Sequence, residues 1–162
     1  MNIRTMSINA LVAALYIALS LLIQPFGFTN IQFRLSEMFN HLVVFNKKYI
    51  FGIVIGVFLT NLLFSPLGAY DLVFGVLQSL IALLVTIGVG RYIKNLWACM
   101  MVNTAIFTAT MFIIAFELHL ALGLPFLFTW LTTAVGEFVV MFIGAFIMMA
   151  LNKKIFFKTL LD

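Results

Sequence analysis

Apolar residues in this chain run in long, nearly unbroken blocks, without the strict alternation of a half-buried strand or the single stripe of a surface helix. Gly, Pro, Asn and charge punctuate the blocks, as at Pro25-Phe26-Gly27, Asn46-Lys47-Lys48 and Ser65-Pro66-Leu67-Gly68. Six helices are predicted between these breaks: residues 7–24, 36–45, 49–64, 71–89, 96–116 and 128–151. The second is short and polar, with Glu37, Asn40 and His41 inside it. As an α-helix, its ten or so residues rise only about 15 Å, half of a hydrocarbon core of roughly 30 Å. It must tilt, extend backwards through Ile31 to Leu35, or be shielded by protein. Arg34, Glu37 and His41 share one side at spacing i, i+3, i+7, and such a face belongs against protein or a water-filled cavity.

Composition turns this pattern into a class. Hydrophobic residues make up 65% of the 162, charged residues 9%, and mean hydropathy is +1.22, whereas a soluble domain carries about a quarter charged residues. The reading is an all-α integral membrane protein, one transmembrane domain over residues 1–162 built as a six-helix bundle. The first helix starts after Arg4 in the manner of a signal peptide, but it reaches Gln24-Pro25-Phe26 without a small-residue cleavage pattern and reads as retained. Cys99 is the single cysteine and lies in an apolar run, so neither a disulfide framework nor a cysteine metal site is expected.

The charge of +4 acquires meaning from its placement. With the N-terminus in the cytoplasm, Arg4, Lys47, Lys48, Arg91, Lys94, Lys153, Lys154 and Lys158 all fall inside, eight of the nine basic residues, and Arg34 alone falls outside. This predicts a multi-pass protein of the cell (cytoplasmic) membrane with both termini cytoplasmic. Small residues mark close helix approaches: Ala10, Ala14 and Ala18 on the first helix, Gly52 and Gly56 on the third. Each ladder suits either packing inside the bundle or docking to another membrane subunit.

The same topology gathers Arg34, Glu37, Asp71, Glu117 and Glu137 on the outer half, with Glu117 near the interface and Glu137 about 13 Å into the last helix. One cation faces four acids, and acids left over need protons, polar partners or a cationic or NH-rich ligand. Gln32, Asn61, Gln78 and Asn103 add amide donors and acceptors, and Phe26, Phe28, Phe33, Tyr70 and Trp130 offer rings on that side. Carboxylates with amides suit a planar heterocycle. Structural alternatives stand beside each: an Arg34–Glu37 pair that fixes the second helix, Asp71 as a helix cap, Asn61, Gln78 and Asn103 as interhelical glue, His41 as a structural donor. Glu137, in mid-helix, has no capping role. Enzymatic templates are absent: no P-loop, Gly-x-Ser-x-Gly, His-Glu-x-x-His or Cys–His pair at metal spacing occurs. No repeated bundle of a secondary transporter is visible either.

Ile31-Gln32-Phe33-Arg34-Leu35-Ser36-Glu37 resembles the QueT family, substrate-binding (S) subunits of energy-coupling-factor (ECF) importers for queuosine precursors. The resemblance continues through Gly56 to Asn61, Tyr70-Asp71-Leu72-Val73-Phe74-Gly75, Asn103 and Val135-Gly136-Glu137. It implies a six-helix S-component fold that binds its ligand from outside, a shared transmembrane coupling protein, and two cytoplasmic ATPases that use the ATP, with no cofactor or metal in this chain. It also implies a 7-deazaguanine ligand, the 7-aminomethyl compound or queuine, and an Ala-x-x-x-Ala docking face matched by Ala10, Ala14 and Ala18. The site residues to test are Gln32, Arg34, Glu37, Asn61, Tyr70, Asp71, Gln78, Asn103 and Glu137. Glu137 or Asp71 is expected on the guanine-like edge, Asn103 and Gln32 on its carbonyl and ring nitrogens, and Arg34 with Glu37 as a pair at the mouth. The alternative is a stand-alone proton-coupled secondary transporter or channel in which Glu137 carries the proton.

Overall fold

The computed structural model of the chain describes residues 2–23 and 33–161, all helix and short connections. Five long elements dominate: α1 (Ile3–Leu22), α3 (Ile50–Phe64), α4 (Ala69–Gly90), α5 (Leu96–Leu122) and α6 (Phe126–Ile155). Between α1 and α3 lie a 3₁₀ helix (Leu35–His41), the short α2 (Leu42–Phe45) and a 3₁₀ turn (Lys47–Tyr49), and α7 (Phe157–Leu160) closes the chain. Among the described residues five segments are long and apolar enough to cross a membrane: α1, Lys47–Phe64, α4, α5 and α6. Asparagine starts three elements, since Asn2, Asn46 and Asn95 accept hydrogen bonds from the backbone N–H groups of Thr5, Lys48 and Ala98 at 2.8, 3.0 and 3.1 Å.

Five of the six predicted helices are present with shifted ends, the first running from Ile3 to Leu22 and the third starting at Ile50. The fifth continues to Leu122, the sixth to Ile155, and the fourth begins at Ala69. The second differs in kind, because residues 35–41 wind as 3₁₀ and only four residues follow as α-helix. A 3₁₀ helix rises about 2 Å per residue, so the two pieces together reach about 20 Å, further than an α-helix of the same length. Three residues per turn also redistribute the side chains. Glu37 and Asn40 stand on one edge and hydrogen-bond to each other. Met38 and His41 lie on the edge that meets α6, where a Cβ added at Gly144 would be 2.5 Å from that of Met38. The shared Arg34–Glu37–His41 face expected for an α-helix therefore does not form.

Interior packing is apolar around Tyr49, Ile53, Leu83, Met100, Phe107 and Met141. The helix 1 ladder and the helix 3 ladder have opposite fates. Thr5, Asn9, Val12, Ala13 and Tyr16 are buried, and the α1 backbone passes so close to α3 that a Cβ at Gly52 would lie 2.6 Å from the Asn9 carbonyl oxygen and one at Gly56 2.8 Å from the Tyr16 Cβ. The Asn9 side-chain oxygen also accepts the Gly52 N–H at 2.7 Å. Ala10, Ala14 and Ala18 lie on exposed positions of the same helix. At the other end of the bundle α7 is tied to the 45–49 turn: Tyr49 Oη donates to the Phe157 carbonyl at 3.0 Å and Lys48 Nζ to that of Leu161 at 2.9 Å.

Gly52→Leu should separate α1 from α3 and lower stability by about 2 kcal/mol or more, read as a loss of several degrees in thermal unfolding of detergent-purified protein. An equal substitution at exposed Ala10 should leave that transition unchanged.

Candidate functional site

Polar side chains that the sequence scatters over more than a hundred residues converge at one end of the bundle. Glu37 is buried, and its two oxygens accept from Tyr16 Oη at 2.7 Å and from Asn40 Nδ2. Asp71 is buried too, one oxygen facing Arg34 Nη2 at 3.4 Å and the other accepting from Ser65 Oγ. Asn61 Nδ2 donates to the Asp71 carbonyl at 2.9 Å, joining α3 to α4. Glu117 and Glu137 are fully buried, and none of their four carboxylate oxygens has a hydrogen-bond partner among the described residues. The groups form one electrostatic cluster, with Arg34 in range of Glu37, Asp71, Glu117 and Glu137, Glu117 facing Asp71, and Glu137 facing Glu37.

Two expectations are corrected by this geometry. The ion pair of Arg34 reaches Asp71 on α4, while Glu37 is held by the neutral donors Tyr16 and Asn40, because the 3₁₀ winding brings Asn40 directly beneath Glu37. Asp71 is not a cap: Gly68 occupies that position without a side-chain bond, and the carboxylate turns inward to Ser65 and Arg34. Glu117, at the end of its helix expected near the interface, is packed inside the protein and 0% exposed.

The amides divide by depth. Gln78 Nε2 donates to Thr110 Oγ1 at 3.0 Å, and its oxygen accepts from Ser79. Asn103 is engaged on both atoms, its oxygen accepting from Thr86 Oγ1 at 2.7 Å and its Nδ2 lying 3.2 Å from His41 Nδ1. The His41 Nε2 lies 2.9 Å from the Met141 carbonyl, one turn beyond Glu137 on α6. These contacts assign the proton to Nε2 and leave Nδ1 as acceptor. Asn103 and His41 thus form a satisfied floor below the acids, and Gln78 bridges α4 to α5. Tyr70 stands apart at 45% exposed, and Trp130 packs edge-on against Phe112. Gln32, Phe26 and Phe28 lie outside the described residues. Tyr16, Ser20, Thr60 and Ser65 are among the polar residues that sequence reasoning missed; the first sits at i+7 from Asn9, and that polar stripe through the first helix was the available signal.

A cavity of about 20 Å³, lined among others by Tyr16, Ser20, Arg34, Ser36, Thr60 and Asn61, opens beside the cluster. It has room for about one water, so a larger guest requires its walls to separate. No set of three or more His, Cys, Asp or Glu among the described residues is arranged to hold a metal ion. What the arrangement offers is hydrogen-bond acceptance without a fixed donor, at Glu117 and Glu137, next to a guanidinium. A ligand rich in NH groups answers that chemistry.

A family model described as QueT transporter matches residues 6–153. A protein of Lactococcus lactis subsp. cremoris (strain MG1363) named Queuosine precursor transporter QueT is 39% identical over 157 residues, 90% of each chain. No solved structure matches the chain.

Tyr16→Phe should leave Glu37 short of one donor and cost about 1–3 kcal/mol, seen as a lowered unfolding temperature in detergent. Tyr70→Phe, at an exposed ring, should leave the temperature unchanged.

Proposed function

Because the chain belongs to the QueT transporter family, a family of membrane transporters and not of enzymes, we propose that it is the substrate-binding subunit of an ATP-driven energy-coupling-factor importer and captures a queuosine precursor at its outer face. The observation that carries this reading is the pair of buried carboxylates, Glu117 and Glu137, without partners among the described residues and beside the Arg34–Asp71 ion pair. A 7-deazaguanine presents a ring NH and an exocyclic NH₂ side by side, and one carboxylate accepts both. Glu137 suits that edge better than Asp71, whose oxygens are already engaged by Arg34 and Ser65. Glu117 is then available to an aminomethyl ammonium, and Arg34 with Asp71 borders the ligand. Asn103 supports the floor through His41 in place of direct contact.

In this reading the 3₁₀ helix and α2 make a sixth crossing. About 20 Å of helix with extended residues before it spans most of the roughly 30 Å core, and its polar edge is shielded by α1 and α6. Both termini are cytoplasmic in this reading, supported by the eight basic residues that then fall inside. The exposed Ala10, Ala14 and Ala18 ladder meets a transmembrane coupling protein, with two cytoplasmic ATPases supplying the energy. The alternative, a stand-alone proton-coupled secondary transporter or channel, uses Glu137 as the proton carrier.

Glu137→Gln should weaken 7-deazaguanine binding by at least tenfold, since one acceptor becomes a donor facing donors; calorimetry on the purified chain reads this. Binding unchanged in both Glu137→Gln and Asp71→Asn rules the assignment out. Ala14→Leu should spare binding and abolish ATP-dependent uptake in vesicles containing the coupling protein and ATPases. Uptake by the isolated chain down a proton gradient would instead establish the alternative.

A further inference from the structure

A second cavity, of about 270 Å³, lies at the opposite end of the bundle from the acid cluster, between α2, the end of α4 and the start of α5. Its walls are of two kinds. Val43, Val44, Phe45 and Ile87 are apolar, whereas Asn46, Lys47 and Arg91 are polar or cationic. Neither Lys47 nor Arg91 has a hydrogen-bond or ion-pair partner among the described residues. Their positions define a depth: Lys47 opens the span Lys47–Phe64, and Arg91 directly follows the span Ala69–Gly90. Both therefore stand where the hydrocarbon core gives way to lipid headgroups. Gly90 keeps the cavity open, having only the Cys99 sulfur near its absent side chain, at 3.1 Å from an added Cβ.

We propose that this cavity binds an anionic phosphate group, held between Lys47 and Arg91, and that its source is the headgroup of an acidic phospholipid. Two cations converging on one space without a carboxylate select a compact anion, and a guanidinium is well matched to phosphate oxygens. The apolar wall of Val44 and Ile87 distinguishes a lipid from free phosphate, because it offers acyl carbons the continuation that an inorganic ion does not need. The inference is independent of what the outer site binds.

The test uses the full chain in phosphatidylcholine nanodiscs doped with phosphatidylglycerol, with retained lipids identified by native mass spectrometry. Wild type should retain phosphatidylglycerol in preference to phosphatidylcholine. The Lys47→Gln/Arg91→Gln variant should lose roughly tenfold of that preference or more. Gly90→Leu, which keeps both charges and fills the space, should lose it as well. Lys153→Gln/Lys154→Gln removes the same charge elsewhere and should retain it. In a parallel arm, inorganic phosphate is titrated into pure phosphatidylcholine nanodiscs. Stabilisation of wild type but not of the two cavity variants, without a lipid preference, keeps the phosphate site and changes its source. Cavity variants that match wild type in both arms overturn the proposal.

Discussion

A carboxylate inside a hydrocarbon slab persists only where protein supplies protons, dipoles or opposite charge, and this fold is arranged around that demand. Four of the chain's five acids, Glu37, Asp71, Glu117 and Glu137, are buried, with one arginine among them. Each such group costs about 2.5–3.5 kcal/mol on insertion scales. Tyr16 and Asn40 meet the demand at Glu37, and Ser65 and Arg34 meet it at Asp71. Those bonds simultaneously fix α1 to the 3₁₀ helix and that helix to α4. Nothing comparable serves Glu117 and Glu137 among the described residues, so the polarity left over is concentrated where a guest can use it.

The 3₁₀ helix is the element that makes this possible. Seven residues of 3₁₀ are more than such helices usually sustain, since their hydrogen bonds are poorer. Here the winding stretches a short segment along the bundle and aligns Glu37 above Asn40. It also directs His41 toward the Met141 carbonyl and Asn103. Gly144 admits Met38 on the same side. The segment is held by contacts to α1, α5 and α6 more than by its own backbone, so the site and the packing of the bundle depend on each other.

Much of this was legible in the sequence, for physical reasons. Long apolar blocks leave little choice but membrane helices, and the few charges among them had to meet, so Arg34, Glu37, Asp71 and Glu137 were identifiable before any coordinates. Hydrophobic periodicity does not separate 3₁₀ from α over ten residues, nor does it show that Arg34 precedes the helix with a non-helical backbone (φ −85°, ψ 79°), which frees its side chain to reach Asp71 and not Glu37. Tyr16 was hidden as one aromatic among many, and the burial of Glu117 against protein was not legible because its helix was expected to stop at Phe116 when it continues to Leu122. The two small-residue ladders looked equivalent in sequence. Only packing separates Gly52 and Gly56, which admit α1, from Ala10, Ala14 and Ala18, which face outward.

The central claim is that the unpartnered acids form the ligand site, and the most direct measurement is an experimental structure of the purified chain with 7-aminomethyl-7-deazaguanine bound. The account predicts the guanine-like edge within hydrogen-bond distance of Glu137, the ammonium near Glu117, and the Arg34–Asp71 pair alongside. A ligand seated elsewhere, with Glu117 and Glu137 still lacking partners, would contradict it.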